Sequence, residues 1–554
     1  MAADNLRVVL AADPDLGAGN VLAKLMEHRA PTDRPALTFD TELDGRPAWT
    51  PFTLGELTDL VRARAGWLRR HGVRARDPVA VYVTASADCL LSFLALNWLG
   101  AIPALMNGNM PGDIAVEFIR RLRARFVLTD GPHRARLGHA DLAASLLPDV
   151  SAAGTGDPAG APAPYRYHAD DPIAITHSSG TTRMPAAVAH SHGSLFAATR
   201  AVRLGGLKVP DGERILSALP AAHTAGILTV HQALCNGTPL LFLSGQGGPF
   251  ARSAEVIVDA IERWRPTHVY GFAVTWAELA RFDLTQRDIS SVRIWSNSGD
   301  TAHEAHIRRL VAVGSHQVYS KEGVVTLPGS RFNDTLGSTE MGYGGFQISH
   351  RPGTERYNRC VGKPVSFAEI ILVDVKTGDE VPIGEVGQVA MKSPTLALGY
   401  WNDSVTTYRT RLNGYYLTGD LMYRDKDGYF YHLDRASDAT DLGDGNWFYS
   451  VLSEERILKH CPDVRDCTVL AARGDGKLFI EVLLMLAPKA DPALDREGEI
   501  RQALGQAAAA LPLRIVAVPD DGVVVGPTGK VRKFLMRQRL LASTGAGSTP
   551  EGSS

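Results

Sequence analysis

Short β-rich runs recur at 79–83, 126–129, 173–176, 214–219, 240–243, 268–272 and 292–295, and helix-compatible stretches separate most of them. Alternation of this kind lays strands side by side in one direction with helices as crossovers, so it predicts a layered α/β architecture. No fixed-period repeat accompanies it. Residues 56–71 illustrate the helical half: Leu57, Leu60, Val61, Ala65 and Leu68 fall on one face, and Gly72 stands where a helix would stop. The most apolar stretch, 89–106, is interrupted by Asn97, Gly100 and Pro103 and reads as a buried helix and strand rather than a membrane span.

The chain has 554 residues, 45% of them hydrophobic and 21% charged, which suits a large globular core and excludes global disorder. With 58 basic against 60 acidic residues, no whole-chain field draws it to nucleic acid or an anionic membrane, so an anionic ligand must be bound locally. The five cysteines are scattered without a CxxC pair, and His190 and His192 lack partners at metal spacing, so neither disulfides nor structural zinc are expected. No basic and apolar leader opens the chain, and the expected compartment is the cytoplasm.

Residues 151–164 read as a surface loop, and the texture changes beyond about 436. There 467–472 and 478–486 read as strands around the turn 473–476, and 497–510 and 531–541 as helices. The expected organisation is a large multi-sheet N-terminal domain with layered α/β subdomains over 1–436, a small mobile α+β C-terminal domain over 437–542, and a disordered tail over 543–554.

Chemistry enters at Ser178-Ser-Gly-Thr-Thr182, which follows the apolar strand 173–176 and precedes 190–200, a segment compatible with helix. Hydroxyl residues around a glycine let backbone N–H and side-chain O–H groups converge on phosphate oxygens; a polar turn is the plain alternative. It is not a Walker loop. Four further motifs follow: Gly337-Ser-Thr-Glu340, Leu417-Thr-Gly-Asp420, Asp434-Arg435 with Asp438, and Pro527-Thr-Gly-Lys530. Each has a bland reading in isolation, Glu340 and Lys530 as solvated side chains, Asp420 as a turn residue and Arg435 as a salt-bridge partner.

In this order the motifs resemble the adenylate-forming superfamily of acyl-CoA synthetases, peptide-synthetase adenylation domains and luciferases. The resemblance implies a phosphate loop at Ser178, Ser179, Gly180, Thr181 and Thr182, with Leu336, Gly337, Ser338 and Thr339 on the nucleotide and Thr339 near the α-phosphate. It implies magnesium on Glu340, ribose on Asp420, sugar or phosphate on Arg435, and adenine against Ser298, Gly299 and Asp300. Lys530 would reach the bridging α-phosphate oxygen and then swing away on a hinge near Ser437-Asp438. His223 falls beside the family's acyl pocket, although a buried core histidine is equally compatible; Phe272, 297–300 and 342–345 are the other candidate pocket segments. The implied cofactors are ATP and Mg2+, with CoA where the acceptor is a thiol.

The chain departs from the pattern at four places. Arg183-Met-Pro-Ala-Ala187 lacks the usual loop lysine, Leu336 replaces an aromatic that commonly stacks on adenine, and Asp434 stands where glycine is usual. Residues 439–449 also lack the family's Ile-Lys and Tyr-Pro pattern. The leading expectation is ATP-dependent adenylation of a small-molecule acid, with transfer to CoA or a carrier-protein thiol. One alternative is a diazotase that activates nitrite and passes it to an aryl amine; the other is a nucleotide-binding homologue without turnover.

Overall fold

The structure, a computed structural model, describes residues 3–178, 184–206, 212–244, 254–320, 323–443, 445–474, 477–519, 522–524 and 531–543. Two sheets carry most of the first 435 residues. The smaller has seven strands, with Pro78–Tyr82, Ile102–Leu105, Phe126–Thr129 and Pro172–His177 parallel at its centre. Buried strands suit a parallel sheet covered by helices on both faces: Leu54–Arg70 and Ser86–Leu99 cover one face and Gly112–Leu122 the other. The first of these helices starts at Thr53 with a capping box to Glu56, and Gly72 beyond its end adopts φ 93°.

The larger sheet has 14 strands. Its parallel part runs through Pro35–Phe39, Leu240–Phe242, Ile215–Ser217, His268–Phe272, Ile294–Ser298 and Arg331–Gly337. From Arg331–Gly337 onward it continues as antiparallel strands, including Gly344–His350, Cys360–Pro364, Phe430–Arg435 and Tyr415–Arg424. That antiparallel half does not follow from the alternation of strands and helices, because consecutive short strands with one wet face leave no crossover helix as a signature.

After Ser437 the chain builds a three-stranded sheet of Val464–Gly474, Lys477–Leu486 and Leu513–Ala517. Val469, Ile480 and Val482 face the helices Ser450–His460 and Glu497–Leu504, while Leu470 and Leu483 face Lys533–Ser543. The α+β texture is as expected, but the helix of 497–510 is broken at Gly505, where φ is 81°. Residues 544–554 lie outside the described residues.

Three local expectations are corrected. His190 lies in a strand, Ala187–Ser191, and the helical stretch begins only at Ser194, because pairing with Pro172–His177 outweighs local propensity. The 151–164 segment is not a plain loop: two short 3-10 turns lie against the helix Leu54–Arg70, burying Val150 and Ala153. The strand expected at 292–295 is Ile294–Ser298, so Asn297 and Ser298 are strand residues.

Trp276, Trp295 and Phe332 form the packing centre beneath the cavity described below. All three are fully buried, Trp276 lies edge-on to Trp295 at 5.8 Å and to Phe332 at 5.6 Å, and its Nε1 donates to Asn297 Oδ1 at 2.8 Å. Trp276→Ala would leave a large void and an unsatisfied amide, so it is expected to cost about 3–5 kcal/mol of stability in denaturant melts. A loss below about 1 kcal/mol would contradict this packing.

Candidate active site

The carboxyl ends of His268–Phe272, Ile294–Ser298 and Arg331–Gly337 open into a cavity of about 630 Å³, where open α/β sheets commonly bind ligands. The helix Thr224–Asn236 closes one side, and Val531, Arg532 and Lys533 from the last lobe reach the other. Ser178, Ser298, Gly299, Asp300, Gly337, Ser338, Thr339, Glu340, His223 and Arg435 all line it. Phe272, Asn297 and Gly342 do as well.

Ser178 sits at the base of the expected phosphate loop. Its N–H donates to Ala186 O at 3.0 Å and its Oγ accepts from Ala186 N–H at 3.1 Å, so these two residues are tied together. Ser179, Gly180, Thr181, Thr182 and Arg183 lie outside the described residues, and so does Lys530.

The turn from Ser338 to Tyr343 depends on Gly342, whose φ is 70° and whose added Cβ would meet Thr395 O at 2.1 Å. It returns on Thr339, whose carbonyl accepts from Gly342 N–H at 3.1 Å. Glu340 is then held between the two sheets: Tyr400 OH donates to its Oε1 at 3.1 Å, and Tyr400 pairs in register with Val188 on the smaller sheet.

Leu336 is a correction. Strand alternation turns Thr335 and Gly337 toward the cavity and Leu336 the other way, into a cluster with Met341, Phe346 and Val361, where it is 2% exposed. Its side chain does not face the nucleotide space. Asn297 is likewise structural, donating to Asp334 Oδ1 at 2.6 Å; burial pushes that carboxyl up to about 7.

Asp420 and Arg435 are directly opposite across the strands Tyr415–Arg424 and Phe430–Arg435. Arg435 Nε lies 2.8 Å from Asp420 Oδ1, as an ion pair without hydrogen-bond alignment, and His432 Nε2 approaches to 3.5 Å. Burial works against the Asp420 carboxylate, yet Arg435 and then His432 outweigh it and hold its pKa well below the usual carboxylate range. Arg435 faces the cavity and Asp420 lies behind it, so the expectation that Asp420 itself lines the nucleotide space is corrected for this conformation.

His223 caps the helix Thr224–Asn236, its Nδ1 accepting from Ala225 N–H at 3.1 Å, and packs edge-on against Phe272 at 4.9 Å. An accepting Nδ1 assigns the proton to Nε2, so the ring is a neutral donor.

Two further sets were not legible in the motifs. Arg203 lines the cavity among Gln232, Tyr270 and Tyr343. In the last lobe, Lys533 pairs with Glu454 at 2.8 Å, and Asp434 accepts from the N–H groups of Ser450 and Val451 at the start of the helix Ser450–His460. Burial opposes charge on Lys533, but Glu454 and Asp434 prevail and raise its pKa. Arg537 donates to Asp438 at 2.9 Å, and His303 meets Glu455 at 2.6 Å. Of these, Asp434 and Asp438 were singled out by sequence, the first as an acid in place of glycine and the second as part of the same motif and of the expected hinge.

Among the described residues, no group of three or more His, Cys, Asp or Glu side chains could hold a metal ion, and no helix is long and apolar enough to cross a membrane. The family model described as AMP-binding enzyme matches residues 26–401. The chain is 43% identical to the 3-aminoavenalumate diazotase of a Streptomyces species, covering 97% of this chain and 98% of the relative. It is 26% identical to the 3-amino-2-hydroxy-4-methoxybenzoate diazotase of Streptomyces cremeus, covering 80% and 82%. The solved anthranilate CoA ligase AuaEII in complex with anthranoyl-AMP shares the fold with a TM-score of 0.79 at 23% identity, covering 98% of this chain and 100% of that one. A cavity at the strand ends lined by Ser178, Gly337, Ser338, Thr339, Glu340 and Arg435 and a family match over most of the chain agree: it belongs to the AMP-binding enzymes and is an ATP-dependent adenylate-forming ligase.

Proposed function

We propose that this ligase uses ATP to activate nitrite and passes the nitrosyl group to an aryl amine, giving a diazonium product. The observation that carries this reading is the near-full-length kinship, at 43% identity, with a diazotase. The noncanonical 439–449 segment agrees with it, since an amine acceptor has no need of the contacts that a thiol cofactor requires. It forms the small hairpin Thr440–Gly443 and Asn446–Phe448.

A nitrite oxygen attacks the α-phosphorus of ATP; the new O–P bond forms as the bond to the bridging oxygen breaks, and pyrophosphate leaves with that electron pair. The amine lone pair then attacks the nitrosyl nitrogen, the N–O bond to AMP breaks, and the amine nitrogen loses a proton. The resulting N-nitrosamine takes up a proton and loses water to leave the diazonium. No oxidant, reductant or CoA enters.

The side chains divide this work by charge. Bringing an oxyanion to a polyphosphate requires positive charge and fixed donors. We assign the phosphates to Ser178, Ser338, Thr339 and the 179–183 loop, and the sugar or α-phosphate side to Arg435, with Asp420 fixing the guanidinium from behind. His223, as an Nε2–H donor, suits an oxyanion rather than proton abstraction. A single tethered carboxylate, Glu340, fits a magnesium that arrives with the nucleotide and keeps phosphate and water ligands; when bound it would supply charge neutralisation. Residues 437–542 are read as a lid turning at Ser437-Asp438, with Lys530 delivered to the bridging oxygen.

Pyrophosphate release by the purified enzyme, with diazonium trapped as an azo dye, tests the reaction. ATP and nitrite alone are expected to release about one pyrophosphate per enzyme, and sustained release with diazonium to need the aryl amine as well; release driven by an organic acid without nitrite would overturn the diazotase reading. Lys530→Ala is expected to slow pyrophosphate release by about 100-fold or more while ATP still binds, and unchanged rates would remove its assigned role.

A further inference from the structure

One cationic group of the cavity wall, Arg203, has no part in the nucleotide chemistry proposed above. Arg203 stands where the π-helical turn Thr199–Leu204 meets the helix Thr224–Asn236 and the strand His268–Phe272. Its Nε donates to Gln232 Oε1 at 3.1 Å and its Nη2 to Tyr270 OH at 2.8 Å. Both partners are uncharged. Among the described residues no carboxylate forms an ion pair with this guanidinium, and Glu213, whose field reaches it, is engaged by His268 at 2.6 Å and Arg293 at 3.3 Å.

Apolar Leu219, Leu228, Phe272 and Val274 contribute to the walls of the same cavity. A charge placed among such walls costs desolvation unless a counter-ion meets it. Gln232 and Tyr270 hold the planar fork in position without neutralising it, and a held fork is a carboxylate receptor by shape as well as charge. An acid group on the ligand supplies the missing partner, and it must lie away from the reacting nitrogen, which has to meet the activated nitrosyl near Thr339 and Glu340.

We propose that Arg203 binds a carboxylate carried by the amine substrate, so that the substrate class is an aryl amine bearing an acid group remote from its amino nitrogen. The inference rests on the diazotase reading for the identity of the reacting group, but the carboxylate subsite itself can be measured without turnover.

3-Aminocinnamate and 3-aminocinnamamide present the same amine with and without the negative charge. Binding of each to the full-length enzyme is measured calorimetrically with AMP present, beside diazonium yield with ATP and nitrite. The acid is expected to bind the native enzyme about 10-fold or more tighter than the amide. Arg203→Gln should abolish that preference, and Arg203→Lys, which keeps the charge but not the fork, should retain part of it. Thermal melts identify any variant that has failed to fold, and the Lys variant then carries the comparison. Equal binding of acid and amide by the native enzyme, or a preference that survives Arg203→Gln, would overturn the subsite whatever the diazonium yield. Absence of diazonium from either amine, with an Arg203-dependent preference intact, would instead remove the diazotase reading and leave the subsite standing.

Discussion

Placing an oxyanion on the innermost phosphorus of ATP forces negative charge against negative charge, and the fold serves to hold positive charge and fixed donors where that happens. The Asp420–Arg435 pair is the clearest device. Register across two antiparallel strands puts the residues opposite each other, and the Asp420 carboxylate raises the pKa of Arg435 and holds its guanidinium at the cavity. A lone arginine could swing to solvent; this one is tied down from behind by a carboxylate that His432 also supports. Glu340, tethered through Tyr400 to the neighbouring sheet, joins the two halves of the large lobe at the cavity wall.

The last lobe is held to this site by charge as well. Asp434, acidic where the resembling family has glycine, accepts from the first N–H groups of the helix Ser450–His460, the positive end of its dipole, and lies in the field of Lys533. Lys533 pairs with Glu454 on that same helix, and His303 from the large lobe pairs with Glu455 beside it. The acid therefore adds a clasp between the two lobes at the point where glycine would leave the chain free, a restraint on the proposed lid. A reaction whose second step uses a small amine already in the cavity tolerates such restraint better than one that must admit a long thiol arm.

Much of this was legible in the chain because phosphate chemistry demands particular side chains in sequence-local groups. Ser178 after its strand, the segment Gly337 to Glu340 and the residues Asp420 and Arg435 could be named from motifs, and those described gather at or directly behind one cavity. What escaped was set by long-range packing. Leu336 was expected at the nucleotide, but strand alternation buries it. His190 was expected in a helix, but pairing with Pro172–His177 makes it strand. Arg203 has no motif because Gln232, Tyr270 and Tyr343 come from separate elements, and Lys533 gains meaning only when Glu454 and Asp434 close around it.

If an oxygen of nitrite bonds to the α-phosphorus, its isotope must follow it into AMP. With nitrite labelled in both oxygens by 18O, turnover with ATP and an aryl amine should leave one label in the phosphate of AMP and release the other as water, read by mass spectrometry of the nucleotide. AMP formed without label, while diazonium accumulates, would contradict the proposed attack.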